Sequence, residues 1–222
     1  MPHRLLFADA ETAADLVLFA GRTASLSDGA VRLRADAGTL VVTGAALAPR
    51  GLFDSTPTVL GLRAMPVDPE LVTDVVVTAA ELTVDAADPC AVVLPETAVS
   101  ASWAGVSPPR SGWVDAGTID AATLAARAQW GIASVAEGMP RDPGEDAVRA
   151  LRASVWSPGD DDLGGLPLGV AFAAFAFGFI GGEERAIVRT AGPWTRLSLA
   201  RGHVLLRGPV RSGLTAVRET GA

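Results

Sequence analysis

The segment LGGLPLGVAFAAFAFGFIGG, residues 163–182, carries no charge and is the most apolar stretch of the chain. A segment this apolar lies either in lipid or in a protein interior, so its location decides the fold class. Its glycines and Pro167 leave a helical core of residues 166–180, about 22 Å long at about 1.5 Å per residue. A bilayer core is about 30 Å thick. We therefore expect a buried central helix at 166–180, with Pro167 in its first turn and Gly181-Gly182 as its stop.

The remaining sequence alternates between helical and extended patterns. We predict an α+β fold in which antiparallel strands pack against helices. The segment SPPRSG, residues 107–112, suggests a boundary between an N-terminal α+β lobe, 1–107, and a helical lobe with a C-terminal three-stranded meander, 113–222. A single domain fits the same pattern.

The order of elements suggests an internal repeat. A helix followed by a strand, a glycine turn and two more strands describes residues 10–65, and the same order describes residues 166–207. This order is consistent with a diverged αβββ duplication in which Gly38 corresponds to Gly192.

Three helix starts have local signals. Asp9 is predicted as the N-cap of a helix that reaches Ala24. Thr118 is predicted to cap a second helix that reaches Glu137. Asp142 is predicted as the N-cap of a third, because a proline follows it and Glu145 lies three residues later.

The charge of the chain is uneven. The formal net charge is −7, and all 18 basic residues are arginine. Residues 64–109 contain seven acids and no base, whereas residues 185–222 contain seven arginines and one acid. These stretches fit solvated faces or opposed patches that meet within or between molecules. The acidic total argues against nucleic acid as a partner, because phosphate binding needs a basic surface.

Few residues suit catalysis or metal binding. The chain has one cysteine, Cys90, and two histidines, His3 and His203, and it lacks lysine. The paired ligand spacings of a zinc site, a nucleophile elbow and a dinucleotide fingerprint are missing from the sequence. We therefore predict no cofactor, no metal site and no catalytic residue, and we favour a function other than catalysis.

Two groups of residues are candidates for binding. The connection that contains Pro49 and Pro57 concentrates polar groups that can hold a small anion, or it is an ordinary loop. Two tryptophans flank the 107–112 boundary, where they can line a cleft or pack into the core. The candidate binding residues are Arg50, Asp54, Ser55, Thr56, Trp103, Arg110 and Trp113.

The N-terminal half carries a family resemblance. The segments RLLFADAETAADLVLFAGRTASL (4–26), DGAVRLRADAGTLVVTGAAL (28–47) and LFDSTPTVLGLRAMPV (52–67) resemble conserved hypothetical proteins of actinobacteria. The similarity extends more weakly to RLSLARGHVLL (196–206). No activity is known for that family, so the resemblance implies a bacterial cytoplasmic protein and assigns no site.

These observations favour one functional class over two others. We expect a cytoplasmic, non-enzymatic interaction or scaffolding module that self-associates as a dimer and has no membrane span. A small enzyme or ligand-binding protein that uses carboxylates and arginines in a cleft between lobes is the alternative. A nucleic-acid-binding regulator that uses the arginine-rich C-terminal strands ranks third.

Overall fold

The computed structural model describes residues 4–51 and 54–208. These residues form helices and antiparallel strands, so the predicted α+β class is confirmed. The helices are α1 (Ala10–Ala24), α2 (Ala121–Gly138), α3 (Glu145–Trp156) and α4 (Gly169–Ala176). The strands are β1 (Arg4–Leu6), β2 (Ala30–Asp36), β3 (Thr39–Leu47), β4 (Thr58–Pro66), β5 (Thr73–Thr78), β6 (Thr83–Val84), β7 (Ala91–Val93), β8 (Val114–Asp120), β9 (Gly159–Asp160), β10 (Leu166–Pro167), β11 (Arg185–Ala191), β12 (Trp194–Leu199) and β13 (Gly202–Arg207).

One eight-stranded antiparallel sheet organises the molecule. Its order is β5-β2-β3-β4-β13-β12-β11-β8, and the pairing of β4 with β13 joins strands from the two halves of the chain. The sheet is therefore continuous across the suggested boundary. The division into lobes 1–107 and 113–222 stays a prediction.

The two halves of this sheet have the same local topology. Helix α1 precedes the meander β2-β3-β4, and α4 precedes the meander β11-β12-β13. Gly38 and Gly192 lie in the first hairpin turn of each meander, and both have positive φ, 77° and 56°. A left-handed turn position favours glycine, which explains why the sequence repeats a glycine there. The predicted αβββ order thus occurs twice in the structure.

The main core lies between one face of the sheet and the helices. Alternate strand residues such as Leu33, Val42 and Val204 point towards the helices and are fully buried. The ring of Phe19 on α1 stacks on that of Phe177, with centroids 5.0 Å apart. A smaller cluster around Trp103, Trp194, Leu60 and Leu205 lies on the opposite face of the sheet, which we call the free face.

The apolar segment is buried as expected, but its helix is shorter than predicted. Helix α4 covers only eight residues, because Leu166 and Pro167 pair with β9 and Gly178 adopts a left-handed φ of 70°. Phe177 and Phe179 enter the core beyond the helix. No helix within 4–51 and 54–208 is long and apolar enough to cross a membrane.

Of the three predicted helix starts, one is confirmed and two are wrong. The Asp9 carboxylate accepts the N–H of Thr12 at 2.7 Å, so it caps α1 as predicted. Thr118 lies in β8 instead of capping α2, whose N-cap is Asp120. The N-cap of α3 is Gly144, because Asp142 has a positive φ of 51° and lies outside the helix.

Candidate functional site

The connection between β3 and β4 is held by a carboxylate. One oxygen of Asp54 accepts the N–H of Arg50 at 3.0 Å, and the other accepts the N–H of Thr56 at 2.9 Å. The hydrogen bond to the Thr56 side chain lowers the pKa of Asp54, although burial opposes the shift. Both carboxylate oxygens are therefore used within the loop, and the acid serves to shape it.

Helix α3 packs opposite this loop and leaves a cavity of about 380 Å³ between them, which we call the α3 cavity. Five residues of α3 line it at helical spacings of three and four residues, which place them on one face. The apolar part of the lining includes Ala46 and Leu47 from the end of β3. The residues from α3 are Glu145, Val148, Arg149, Arg152 and Ala153.

Arg152 is half-buried in the wall of the α3 cavity. Its guanidinium lies 5.5 Å from the centre of the Phe172 ring. Burial alone lowers its pKa, with no carboxylate acting against the shift. Among the residues that the structure describes, Arg152 makes no ion pair or hydrogen bond. The α3 cavity therefore holds a half-buried cation without an anion.

A second cavity, of about 370 Å³, lies on the free face beneath the segment 103–110, and we call it the sheet groove. Arg32 on β2 holds that segment in place. Its guanidinium forms two hydrogen bonds of 2.7 Å with the Asp74 carboxylate and donates to the carbonyl of Ala104 at 2.7 Å. The hydrogen bonds with Arg32 lower the pKa of Asp74, and they raise that of Arg32.

The groove is basic at both ends. Arg110 faces Asp36 at 3.5 Å, and both side chains are exposed. At the other end, the guanidinium of Arg196 lies 4.5 Å from the centre of the Trp113 ring. Burial first, and then the neighbouring Arg189, lower the pKa of Arg196. The strands between these ends contribute an apolar floor that includes Leu60, Leu62 and Leu205.

Five of the seven predicted binding residues line cavities of the structure. Arg50, Asp54 and Thr56 line the α3 cavity, whereas Trp103 and Arg110 line the sheet groove. A third cavity, of about 190 Å³, is lined by Arg50 and Trp103 and so shares a lining residue with each of the other two.

The other two predicted residues lie outside these three cavities. Ser55 is exposed and lines none of them. Trp113 also lines none of them; it stacks against Arg196, and its indole N–H donates to the carbonyl of Pro109 at 3.0 Å.

The sequence patterns did not identify the other arginines that give these cavities their positive charge. Arg149 and Arg152 lie three residues apart in a helix, and Arg32 and Arg34 lie two apart in a strand. Each pair therefore shares a face, and this spacing was the available signal. Which cavity the face lines depends on tertiary packing.

Both halves of the chain match domain families. Residues 1–105 match a domain of unknown function (DUF8010), and residues 108–211 match another domain of unknown function (DUF8185). No curated protein matches the sequence. These matches agree with the resemblance to proteins without a known activity.

The fold has distant likenesses among solved structures. One is a DnaN sliding clamp (DNA polymerase III subunit beta) from Bartonella birtlesii, with 11% identity and a TM-score of 0.49, over 94% of this chain and 65% of that chain. Another is pol III beta of Caulobacter crescentus, with 9% identity and a TM-score of 0.48, over 94% of this chain and 66% of that chain. The chain thus spans just under two thirds of the length of these clamps. Likenesses at this level assign no function.

Proposed function

We propose that this protein is a non-enzymatic interaction module that self-associates as a dimer through the edge strand β8. The observation that carries the proposal is the open edge of the main sheet. β8 pairs with β11 on one side and is the last strand of the sheet on the other. Six of its seven residues are exposed. An edge strand presents unpaired N–H and C=O groups, and these can pair with another strand.

The opposite edge of the sheet is different. The N–H of Val99 donates to the carbonyl of Val76 on β5 at 2.9 Å, so a chain segment covers part of that edge. Within 4–51 and 54–208, no backbone hydrogen bond reaches the outer edge of β8 from another segment. This difference favours β8 as the strand that pairs between copies.

The chemistry of β8 suits a contact between identical strands. Val114 is 66% exposed, so the strand presents apolar surface that pairing would bury. β8 has a bulge at Ala116, beside Gly117, whose φ is 106° and whose N–H donates to the Asp115 carboxylate. The bulge limits the register that a partner strand can take. Two antiparallel copies related by a two-fold axis form a closed assembly, which limits further growth.

The test is the mass of the purified protein in solution by light scattering at low and high salt. We expect twice the chain mass of 22.6 kDa at both salt concentrations, because backbone pairing and apolar burial are not screened. Val114→Lys should weaken the dimer about tenfold, since a lysine on an edge strand opposes pairing. Val72→Lys is the matched control, because Val72 is 78% exposed and lies outside β8.

Other outcomes contradict the proposal. A monomer under all conditions would refute self-association. A dimer that dissociates at high salt would assign the contact to charged patches instead of β8. If both lysine variants weaken the dimer equally, then β8 does not form the contact between the two copies.

A second candidate is the binding of an acidic segment of a partner protein in the sheet groove. The arginines at both ends of its apolar floor favour this function. A fluorescein-labelled peptide of alternating Glu and Leu should bind with an affinity that falls as salt rises. Arg196→Met should weaken binding, whereas Arg185→Met, on the exposed start of β11, should not. Binding that is unchanged in Arg196→Met would exclude the groove.

Location and origin belong to the same proposal. The single Cys90 fits a reducing compartment, and the resemblance of the N-terminal half fits an actinobacterial source. We therefore propose a cytoplasmic protein of actinobacteria.

A further inference from the structure

We propose that the α3 cavity binds a small organic phosphate, with Arg152, Arg149 and Arg50 as its anion-binding groups. The site lies apart from β8, so it does not depend on self-association. Its volume of about 380 Å³ falls within the usual range for small-molecule sites of about 300–1,000 Å³.

The first step of the argument is the state of Arg152. A guanidinium that is partly shielded from water gains more from a bound anion than a fully exposed one does. Arg152 has no acceptor among the described residues, and burial is the cause of its lowered pKa. An anion in the cavity would supply the missing acceptor. A purely structural arginine would instead be expected to bond to a carboxylate or to backbone carbonyls.

The second step is the availability of the other two arginines. Arg149 pairs with Asp146 at 2.6 Å, but the Asp146 side chain is 94% exposed. A solvent-exposed pair contributes little, so a ligand can compete with Asp146 for Arg149. The Arg50 side chain is exposed at the opposite wall and makes no hydrogen bond with a described residue. Guanidinium groups from two walls can thus converge on one anion.

The third step concerns the acids of the cavity. Asp54 and Glu145 are the acidic residues of the lining, against three arginines. Both oxygens of Asp54 already accept backbone N–H groups, and Glu145 lies exposed at the start of α3. The lining itself therefore carries one more positive than negative charge, and Asp146, which pairs with Arg149, does not line the cavity.

The last step identifies the class of ligand. A phosphate monoester carries a charge between −1.5 and −2 and has three acceptor oxygens, which guanidinium groups bind in a bidentate manner. The apolar wall, formed by Leu47, Val148 and Ala153, can take a compact organic group attached to the phosphate. This combination favours an organic phosphate over inorganic phosphate alone.

The experiment uses phenyl phosphate as the probe, with inorganic phosphate and phenol as comparisons. Calorimetric titration of the full chain should give a Kd for phenyl phosphate of about 0.1–1 mM, weaker binding of inorganic phosphate and none of phenol. At ten times its Kd, phenyl phosphate should raise the Tm by about 3–5 °C.

Two variants separate a binding role from a structural one. Arg152→Met should weaken phenyl phosphate binding at least about tenfold, since it removes the central charge-assisted contact. The unliganded Tm of this variant should stay close to that of the wild type, because Arg152 makes no ion pair or hydrogen bond with a described residue that the substitution would remove. Arg149→Met is a second variant at the same site, with an expected weakening of about threefold. Arg185→Met, at the start of β11 and 72% exposed, should bind like the wild type.

The proposal is overturned by any of three results. The wild type binds none of the three probes, or phenol binds as well as phenyl phosphate. Arg185→Met and Arg152→Met weaken binding equally, which would mean a general effect of charge. Arg152→Met lowers the unliganded Tm and leaves binding intact, which would make Arg152 a structural residue.

Discussion

Gly61 on β4 and the ring of Phe177 are in such close contact that a Cβ on Gly61 would overlap the ring. The ring cannot easily move away, because it packs against the rings of both Phe19 and Phe179, with centroids 5.0 Å and 5.7 Å distant. Through this contact, the segment after α4 packs directly against β4, near the centre of the sheet. The glycine is thus required by packing, since no positive φ is involved.

We therefore expect Gly61→Ala to lower the free energy of unfolding by about 1–3 kcal/mol, the usual cost of overpacking. Urea denaturation measures the change. Gly21→Ala is the matched control, because Gly21 lies in α1 with open space around its Cα. Alanine favours a helix over glycine, so this control should be more stable by about 1 kcal/mol. A loss of stability in the control, or none in Gly61→Ala, would contradict the packing argument.

Removal of the carboxylate that caps α1 should also destabilise the fold. Asp9 accepts hydrogen bonds from both the N–H and the hydroxyl of Thr12, and these bonds lower its pKa. Asp9→Ala should cost unfolding free energy, measured as a lower midpoint of urea denaturation, because the N–H of Thr12 loses its acceptor. Glu11→Ala, in the same turn but without a capping bond, should cost less than half as much. Equal losses in the two variants would mean that general charge, and not the cap, stabilises the helix.

The Asp9 cap was predictable because its signal is local. The cap and the N–H that it binds are three residues apart, and the sequence shows both. The class of the fold and the two meanders were predictable for a similar reason, since strand alternation and the turn glycines Gly38 and Gly192 lie within single hairpins.

The length of the central helix was not predictable, because distant residues end it. The guanidinium of Arg22, on α1, donates to the carbonyl of Phe177 at 2.7 Å and occupies the space where a side chain on Gly178 would lie. This contact joins residues 155 positions apart. An apolar run shows that a segment is buried, but it does not show which neighbour stops its helix.

The candidate site was predictable in part for the same reason. Arg50, Asp54 and Thr56 were found because a polar, proline-bounded loop is a local pattern. Arg152 was missed because its significance depends on α3 packing against that loop and leaving it without an acceptor.

Arg32 should stabilise the segment that covers the sheet groove. It joins Asp74, the carbonyl of Ala104 and, at 3.1 Å, the hydroxyl of Ser107. Arg32→Met should lower the unfolding free energy by about 2 kcal/mol, since hydrogen bonds of charged groups are worth more than neutral ones. It should also raise the rate of trypsin cleavage after Arg110, because the covering segment loses its attachment.

Asp36→Asn is the control for this experiment. Asp36 faces Arg110 at 3.5 Å in an exposed pair, and such pairs contribute about 0–1 kcal/mol. The stability of the Asp36→Asn variant and its rate of trypsin cleavage after Arg110 should stay close to those of the wild type. If Arg32→Met also leaves the cleavage rate unchanged, then Arg32 does not hold the segment.

The last prediction concerns His203 on β13, whose imidazole is half-buried on the free face. Burial first, and then the charge of Arg196, lower the pKa of His203 from its ordinary value of 6.5. Its Nδ1 is buried and has no hydrogen-bond partner among the described residues. Protonation is therefore less favourable in the folded protein than in the unfolded chain.

The sign of the pH effect follows from this difference. Below pH 6.5 the unfolded chain takes up a proton at this position while the folded protein does not, so acid favours unfolding. The contribution to stability is fully present above pH 6.5 and declines as the pH falls towards the lowered pKa of the folded state. We expect the unfolding free energy of the wild type to fall between pH 7.5 and pH 5 and that of His203→Gln to fall less. His3→Gln, which changes the other histidine, is the control and should retain the wild-type dependence of the unfolding free energy on pH. If His203→Gln also retains that dependence, the effect belongs to another group.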